Sequence, residues 1–314
     1  MNPPRVAVID IGSNSIKVLI ASRAADGRIV ALGHKTLDAR ISAGIDRAHP
    51  KLTEAAMALG LDAVRDLRAF AETYSPGHYI TVATSAVRDA ANGAEFRARV
   101  HAQTGCEVRI LTGDEEAHYI GRGLTCDPAL ADLPDFYVFD LGGGSLECLS
   151  FRDRRLQQAV SFQLGCVRLT ERFVTDWNAP LALDTSMAIA RHVATTICPE
   201  RFAFDLPPTA VAVGTGGTLT STRAILGARD GLKLEDTSTA IRVPAMRELL
   251  ASLGAMDLAT RRSVPGLPAA RADVFPTALA TLVAVAELGA FAAYHHSLYN
   301  LRWGLAAEAL ENIS

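Results

Sequence analysis

One six-residue pattern, Asp-aliphatic-Gly-any-any-Ser, occurs twice: as DIGSNS from Asp10 to Ser15 and as DLGGGS from Asp140 to Ser145. Each copy lies between two apolar, β-branched runs, Arg5 to Ile9 with Ile16 to Ala21, and Phe136 to Leu141 with Leu146 to Phe151. Both therefore read as strand, tight turn, strand. Two such hairpins point to a duplicated scaffold whose halves face each other across a cleft. The 314 residues provide enough chain for two domains.

Between and after the hairpins the pattern is α/β. Thr53 can cap an amphipathic helix to about Tyr74, with Ala56, Leu59, Val64, Leu67 and Phe70 at helical spacing. A strand over Tyr79 to Ala83, a helix from about Ala91 to Thr104 stopped by Gly105, and a strand over Val108 to Leu111 follow. Asp127 to Asp135, with Pro128 and Pro134, separates the halves. The second half adds a buried strand over Val211 to Val213, a glycine turn from Gly214 to Gly217 leading into a helix to about Leu226, and helices over Ala245 to Leu253, Thr277 to Phe291 and Leu301 to Leu310. The expected domains are 1–126 together with a C-terminal helix of about 301–314, and 127–300.

A turn that holds phosphate needs several backbone N–H groups converging on one concavity, and glycine allows the positive φ angles and close approach this requires. Gly142, Gly143, Gly144 and Ser145 form a dense run of that kind, and Gly12, Ser13, Asn14 and Ser15 a more polar version. Neither is a Walker loop nor a dinucleotide fingerprint. Asp10 and Asp140 open the two loops and would repel bare phosphate, which makes sense with a divalent cation, Mg2+, between carboxylate and phosphate. Glu147 shares a pleat face with Ser145 and can join that metal shell. In LTGDEEAHYIGRG three carboxylates, Asp114, Glu115 and Glu116, crowd a helix start. Such acids commonly complement a helix dipole, yet repulsion and partial burial would raise one of them toward the range of a general base, Glu115 first and Glu116 next. Arg88 is placed to neutralise charge on a transferred phosphoryl group. A third turn, Thr215, Gly216 and Gly217 in VGTGGTLTS, can offer a helix N-terminus to an anion or nucleotide. The adjacent His295 and His296 read as structural.

With 49% hydrophobic and 21% charged residues the chain is an ordinary globular protein. A net charge of −3 provides no general field toward nucleic acid or an anionic membrane, so a polyanion must be caught locally. Five scattered cysteines suit a reducing cytoplasm, and MNPPRVAVID has no secretory-signal pattern. The apolar stretch from Thr277 to Tyr294, interrupted by Glu287, suits a buried helix better than a membrane span.

At these residues the chain resembles the exopolyphosphatase/guanosine pentaphosphate phosphatase family. VAVIDIGSNSIKVLI is similar to that family's first phosphate motif, TVATSAVRDAANGAEF to its arginine segment, LTGDEEAHYIGRG to its catalytic acid segment and VFDLGGGSLE to its second phosphate motif. LGCVRLTERF, VGTGGT and LRWGLAAEAL resemble further blocks. The resemblance implies two ribonuclease-H-like domains of the actin, sugar-kinase and heat-shock-ATPase type, with Mg2+ and attack of water on a terminal phosphate. Carried onto matching positions, it makes Glu115 the base, gives phosphate contacts to Ser13, Asn14, Arg88 and Gly142 to Ser145, and gives the metal to Asp140 and Glu147. The implied substrates are inorganic polyphosphate and guanosine pentaphosphate. A homodimer is left open, while nucleic acid and membrane partners are not expected. A kinase or nucleotide-binding switch of the same fold group is the alternative, and a noncatalytic binder of guanosine polyphosphates the third reading.

Overall fold

The computed structural model describes residues 3–45 and 50–313; Met1, Asn2, residues 46–49 and Ser314 lie outside the described residues. The chain divides into two compact units, Met1–Ala131 with Tyr299–Ser314, and Asp132–Leu298.

In chain order the elements are β1 (Arg5–Ile11), β2 (Ile16–Arg23), β3 (Ile29–Leu37), α1 (Glu54–Glu72), β4 (His78–Ala83), α2 (Ser85–Arg88), α3 (Gly93–Thr104), β5 (Val108–Ile110) and α4 (Gly113–Thr125). Then come β6 (Phe136–Leu141), β7 (Leu146–Arg152), β8 (Arg155–Phe162), α5 (Cys166–Phe173), α6 (Leu183–Thr196), β9 (Val211–Thr215), α7 (Gly217–Arg229), β10 (Ala240–Arg242), α8 (Val243–Gly254), α9 (Leu258–Arg262), α10 (Phe275–Leu288), β11 (Ala293–His296) and α11 (Leu301–Asn312). The first sheet runs β3-β2-β1-β4-β5 and the second β10-β11-β9-β6-β7-β8. In each, a three-stranded antiparallel meander continues through its first strand into parallel partners. This is the ribonuclease-H-like order, present twice, with β10 as an addition in the second unit.

The central strands account for the legibility of the hairpins. Val6 to Ile9 and Phe136 to Phe139 are fully buried, because helices cover both faces of a parallel neighbour and demand continuous apolar runs. Thr53 caps α1 by accepting from the Ala56 N–H, and Gly105 ends α3 in a left-handed conformation with φ 69°. Leu59 departs from its expected core position: it lies 57% exposed, and Met57, Gly60 and Leu61 take the inner face instead. Phe275 through Ala286 of α10 are all buried within the second unit, which explains a helix apolar on every side. Among the described residues no helix is long and apolar enough to cross a membrane.

Within the first unit α11 packs on α4 at glycine distance. A Cβ on Gly123 would overlap the Asn300 carbonyl, and one on Gly304 would overlap the Tyr119 carbonyl. The Tyr119 hydroxyl adds a 2.8 Å hydrogen bond to Glu308, and Arg122 pairs with Glu311.

Candidate functional site

The β1–β2 and β6–β7 turns close in the same way, with Gly12 N–H donating to Ser15 O at 3.2 Å and Gly142 N–H to Ser145 O at 3.0 Å. None of Gly12, Gly142, Gly143 and Gly144 has a positive φ, so these glycines serve close approach and not a left-handed turn.

What aims the turns is the capture of their carbonyls. In the second unit Gly142 O accepts from Cys166 N–H at 3.0 Å, Gly143 O from the N–H groups of Val167 and Arg168 at 2.9 and 3.2 Å, and Gly144 O from Arg168 Nε at 2.9 Å. A trans peptide sets its C=O and the following N–H in opposite directions. The N–H groups of Gly143, Gly144 and Ser145 therefore face away from α5, and none of the three has a protein acceptor among the described residues. The first unit repeats the device: Ser13 O accepts from the N–H and hydroxyl of Ser42, and Asn14 O from Arg40 N–H at 3.0 Å. The N–H groups of Asn14 and Ser15 are thereby turned outward. The Asn14 side chain is 5% exposed, and its Nδ2 is a buried donor with no partner among the described residues. Outward N–H groups together with an unsatisfied amide have the donor geometry of a nest, a concavity able to accept an anion.

The two sheets differ in the row of side chains beside each nest. Asp140 lies directly opposite Glu147 on β7 and opposite Thr215 on β9, while Glu147 lies opposite Ser161 on β8. These four residues leave one face of the sheet in line, and Ser161 donates to Glu147 Oε1 at 2.8 Å. Directly opposed carboxylates repel. Their hard oxygens fit Mg2+, which takes one or two carboxylates and completes its shell with water and substrate phosphate. No group of three or more His, Cys, Asp or Glu able to hold a metal occurs among the described residues, so the pair is not an all-protein cage. In the first sheet the residue opposite Asp10 is Lys17, not an acid. Loss of hydration raises the Asp10 carboxyl above its usual range, opposed by Lys17 and Arg302. Among the described residues the directly opposed carboxylate pair thus occurs in the second sheet, while the matching position of the first sheet carries a lysine.

The start of α4 separates the two glutamates. Glu115 completes a capping box: its carboxylate accepts from the Thr112 N–H at 2.8 Å while its own N–H donates to Thr112 Oγ1 at 3.1 Å, and it also pairs with Arg109. The Thr112 N–H and then Arg109 hold this carboxyl below its usual range, the opposite of what a base requires. Glu116, one residue on and 7% exposed, receives Arg88 Nη1 at 3.0 Å. The same Nη1 donates to Leu111 O at 2.9 Å. Arg88 ends the single turn α2, and Ser85 at its start shares a 2.9 Å hydrogen bond with Ser13 of the first nest. One short turn thus links nest, arginine and buried acid. Of the two glutamates, Glu116 is the buried one beside Arg88 and Glu115 the more exposed one in the capping box.

Thr215, Gly216 and Gly217 lead into α7. Gly216 has φ 88°, and a Cβ there would collide with the Asp140 carboxylate. Over this turn lies Arg271, 8% exposed, whose Nε has no partner and whose Nη2 reaches Thr218 Oγ1 only at 3.5 Å. Arg261 holds the adjoining backbone by donating to Leu253, Met256 and Ala272 carbonyls. His296 is buried, sharing a 3.1 Å hydrogen bond with Thr220, which agrees with a structural role.

Arg40, Ser42, Ser161 and Arg271 lie outside the motifs quoted above, and Ser85 and Arg168 lie inside TVATSAVRDAANGAEF and LGCVRLTERF without either being singled out there. The repeat itself is the signal that could have found the arginines on the nests: Arg40 follows Asn14 by 26 residues and Arg168 follows Gly144 by 24, each after the third strand of its sheet.

A family model described as the Ppx/GppA phosphatase family matches residues 19–313. Among solved structures, an exopolyphosphatase from Cytophaga hutchinsonii is 25% identical, with 99% of each chain covered and a TM-score of 0.87. The Aquifex aeolicus member of the Ppx/GppA family is 20% identical, again with 99% of each chain covered, at a TM-score of 0.79.

Proposed function

The chain belongs to the Ppx/GppA phosphatase family, and from that premise we propose that it releases orthophosphate from the end of inorganic polyphosphate or guanosine pentaphosphate by metal-assisted attack of water. The observation that carries this reading is the pair of nests, each with its carbonyls captured from behind and its N–H groups left to bind phosphate oxygens. Magnesium on Asp140 and Glu147 would neutralise phosphate charge. Arg88 would contact the transferred phosphoryl group, drawn from Glu116 by the incoming anion. Glu116 then accepts a proton from the attacking water as the new P–O bond forms and the bridging P–O bond breaks, and passes it to product. Glu115 is assigned to holding the start of α4. Arg271 at the N-terminus of α7 gives the second unit a further anion position, suited to a substrate with phosphates beyond the chain being cut, as guanosine pentaphosphate has.

The test is phosphate release from long polyphosphate, tripolyphosphate, guanosine pentaphosphate, and ATP without an acceptor, each with magnesium and with chelator. Release from polyphosphate or the pentaphosphate that stops in chelator is the expected result. Turnover of ATP only when an acceptor is added would establish the kinase reading, and full activity in chelator would remove the metal.

A further inference from the structure

We propose that Arg40 and Arg168 are a matched pair of positioning residues that aim the two nests through their Nε–H groups. The proposal rests on the reading of these turns as phosphate sites. Each arginine follows the third strand of its sheet, and each Nε bonds the same position of the repeated hexapeptide: Asn14 Oδ1 at 3.2 Å from Arg40 and Gly144 O at 2.9 Å from Arg168. Each backbone N–H adds a bond to the nest, Arg40 to Asn14 O at 3.0 Å and Arg168 to Gly143 O at 3.2 Å.

The consequences are directional. A guanidinium only donates, so the Asn14 amide must present Oδ1 to Arg40 and turn its buried Nδ2 the other way, where no protein acceptor is found among the described residues. Arg168 on Gly144 O fixes the following peptide, so the Ser145 N–H points out of the nest toward an incoming anion. Arg40 holds this place at φ 40°, in the left-handed region that a glycine occupies without strain, so a side chain is kept where the backbone alone favours none.

The test uses a pair of isosteres in the full chain. Arg→Gln puts an amide N–H where Nε stands and removes the charge; Arg→Met matches the length and donates nothing. Binding of tripolyphosphate with magnesium is measured by calorimetry in a Glu116→Gln background, and KM and kcat with long polyphosphate in the otherwise unchanged chain. Arg40→Met and Arg168→Met should each weaken tripolyphosphate binding and raise KM about ten-fold with kcat within about two-fold, as for loss of binding common to ground and transition states. Arg40→Gln and Arg168→Gln should recover most of that loss. Gln variants as impaired as Met would show that charge and not the Nε–H matters, and Met variants that bind normally would remove the role altogether; either overturns the proposal. An Arg40/Arg168 parent that binds no tripolyphosphate would instead overturn the phosphate reading of the nests, and this proposal with it.

Discussion

Glu115 and Glu116 are neighbours with the same charge, yet the helix they begin turns them about 100° apart, one into a cap and one, buried, beside the partly buried Arg88 guanidinium. Their substitutions should separate accordingly. Glu116→Gln is expected to lower kcat by roughly 100- to 10,000-fold while tripolyphosphate binding persists, as for loss of a general base. Glu115→Ala should cost about 1 kcal/mol of stability or less, by removing the N3 half of the capping box while the Thr112 cap stays, and leave kcat nearly intact. Steady-state kinetics with thermal unfolding of both variants checks the pair, and the reverse pattern would return the base to Glu115. Sequence placed both carboxylates at the helix start. It could not tell them apart, because the choice depends on Arg88 and Arg109, which lie 28 and 6 residues away from their respective partners.

Among the elements, those with a strong apolar period were legible: both hairpins, α1 and α10 are where periodicity places them, and α4 begins where the acid cluster marks a helix start. β3 and β8 were not, since as edge strands they bury few residues and their sequences, IVALGHKTL and RLQQAVSF, alternate weakly. Leu59 shows the limit within a correct helix, where spacing alone does not fix which apolar residue faces solvent. The nests were visible as a repeated hexapeptide, whereas Arg40, Ser85 and Arg168 reach them, and Ser161 reaches Glu147, through pairing of distant segments that the hexapeptide does not record. The α4–α11 contact belongs to this scale as well. Gly304→Val would force the helices apart against the Tyr119 carbonyl, with an expected cost of about 2 kcal/mol and a fall in kcat because α4 carries Glu116. Unfolding and turnover should decline together; a stable Gly304→Val protein with normal kcat would show that α4 does not depend on this contact.

At the scale of the molecule each unit has its own hydrophobic core, and stability need not be lost from both at once. Burial, with Arg223 nearby, lowers the His296 ring from 6.5 to about 4. Between those values the unfolded chain binds a proton that the folded one does not, so the contribution is complete above pH 6.5 and falls as pH drops toward 4, by up to about 3 kcal/mol. Denaturant titrations across that window should show the second unit weakening first, and His296→Gln should flatten the slope; an unchanged slope would place the acid sensitivity elsewhere. The chain also enters the first unit, leaves it at Ala131 and returns only at Tyr299, after the 167 residues of the second. On a ribosome adding about 5–20 residues each second, α4 waits on the order of ten seconds or more for the helix that covers it. A nascent chain stalled before Tyr299 would hold both glycine turns and the acid, but not the support beneath that acid, so synthesis itself delays the appearance of a working member of this phosphatase family until both units have been made.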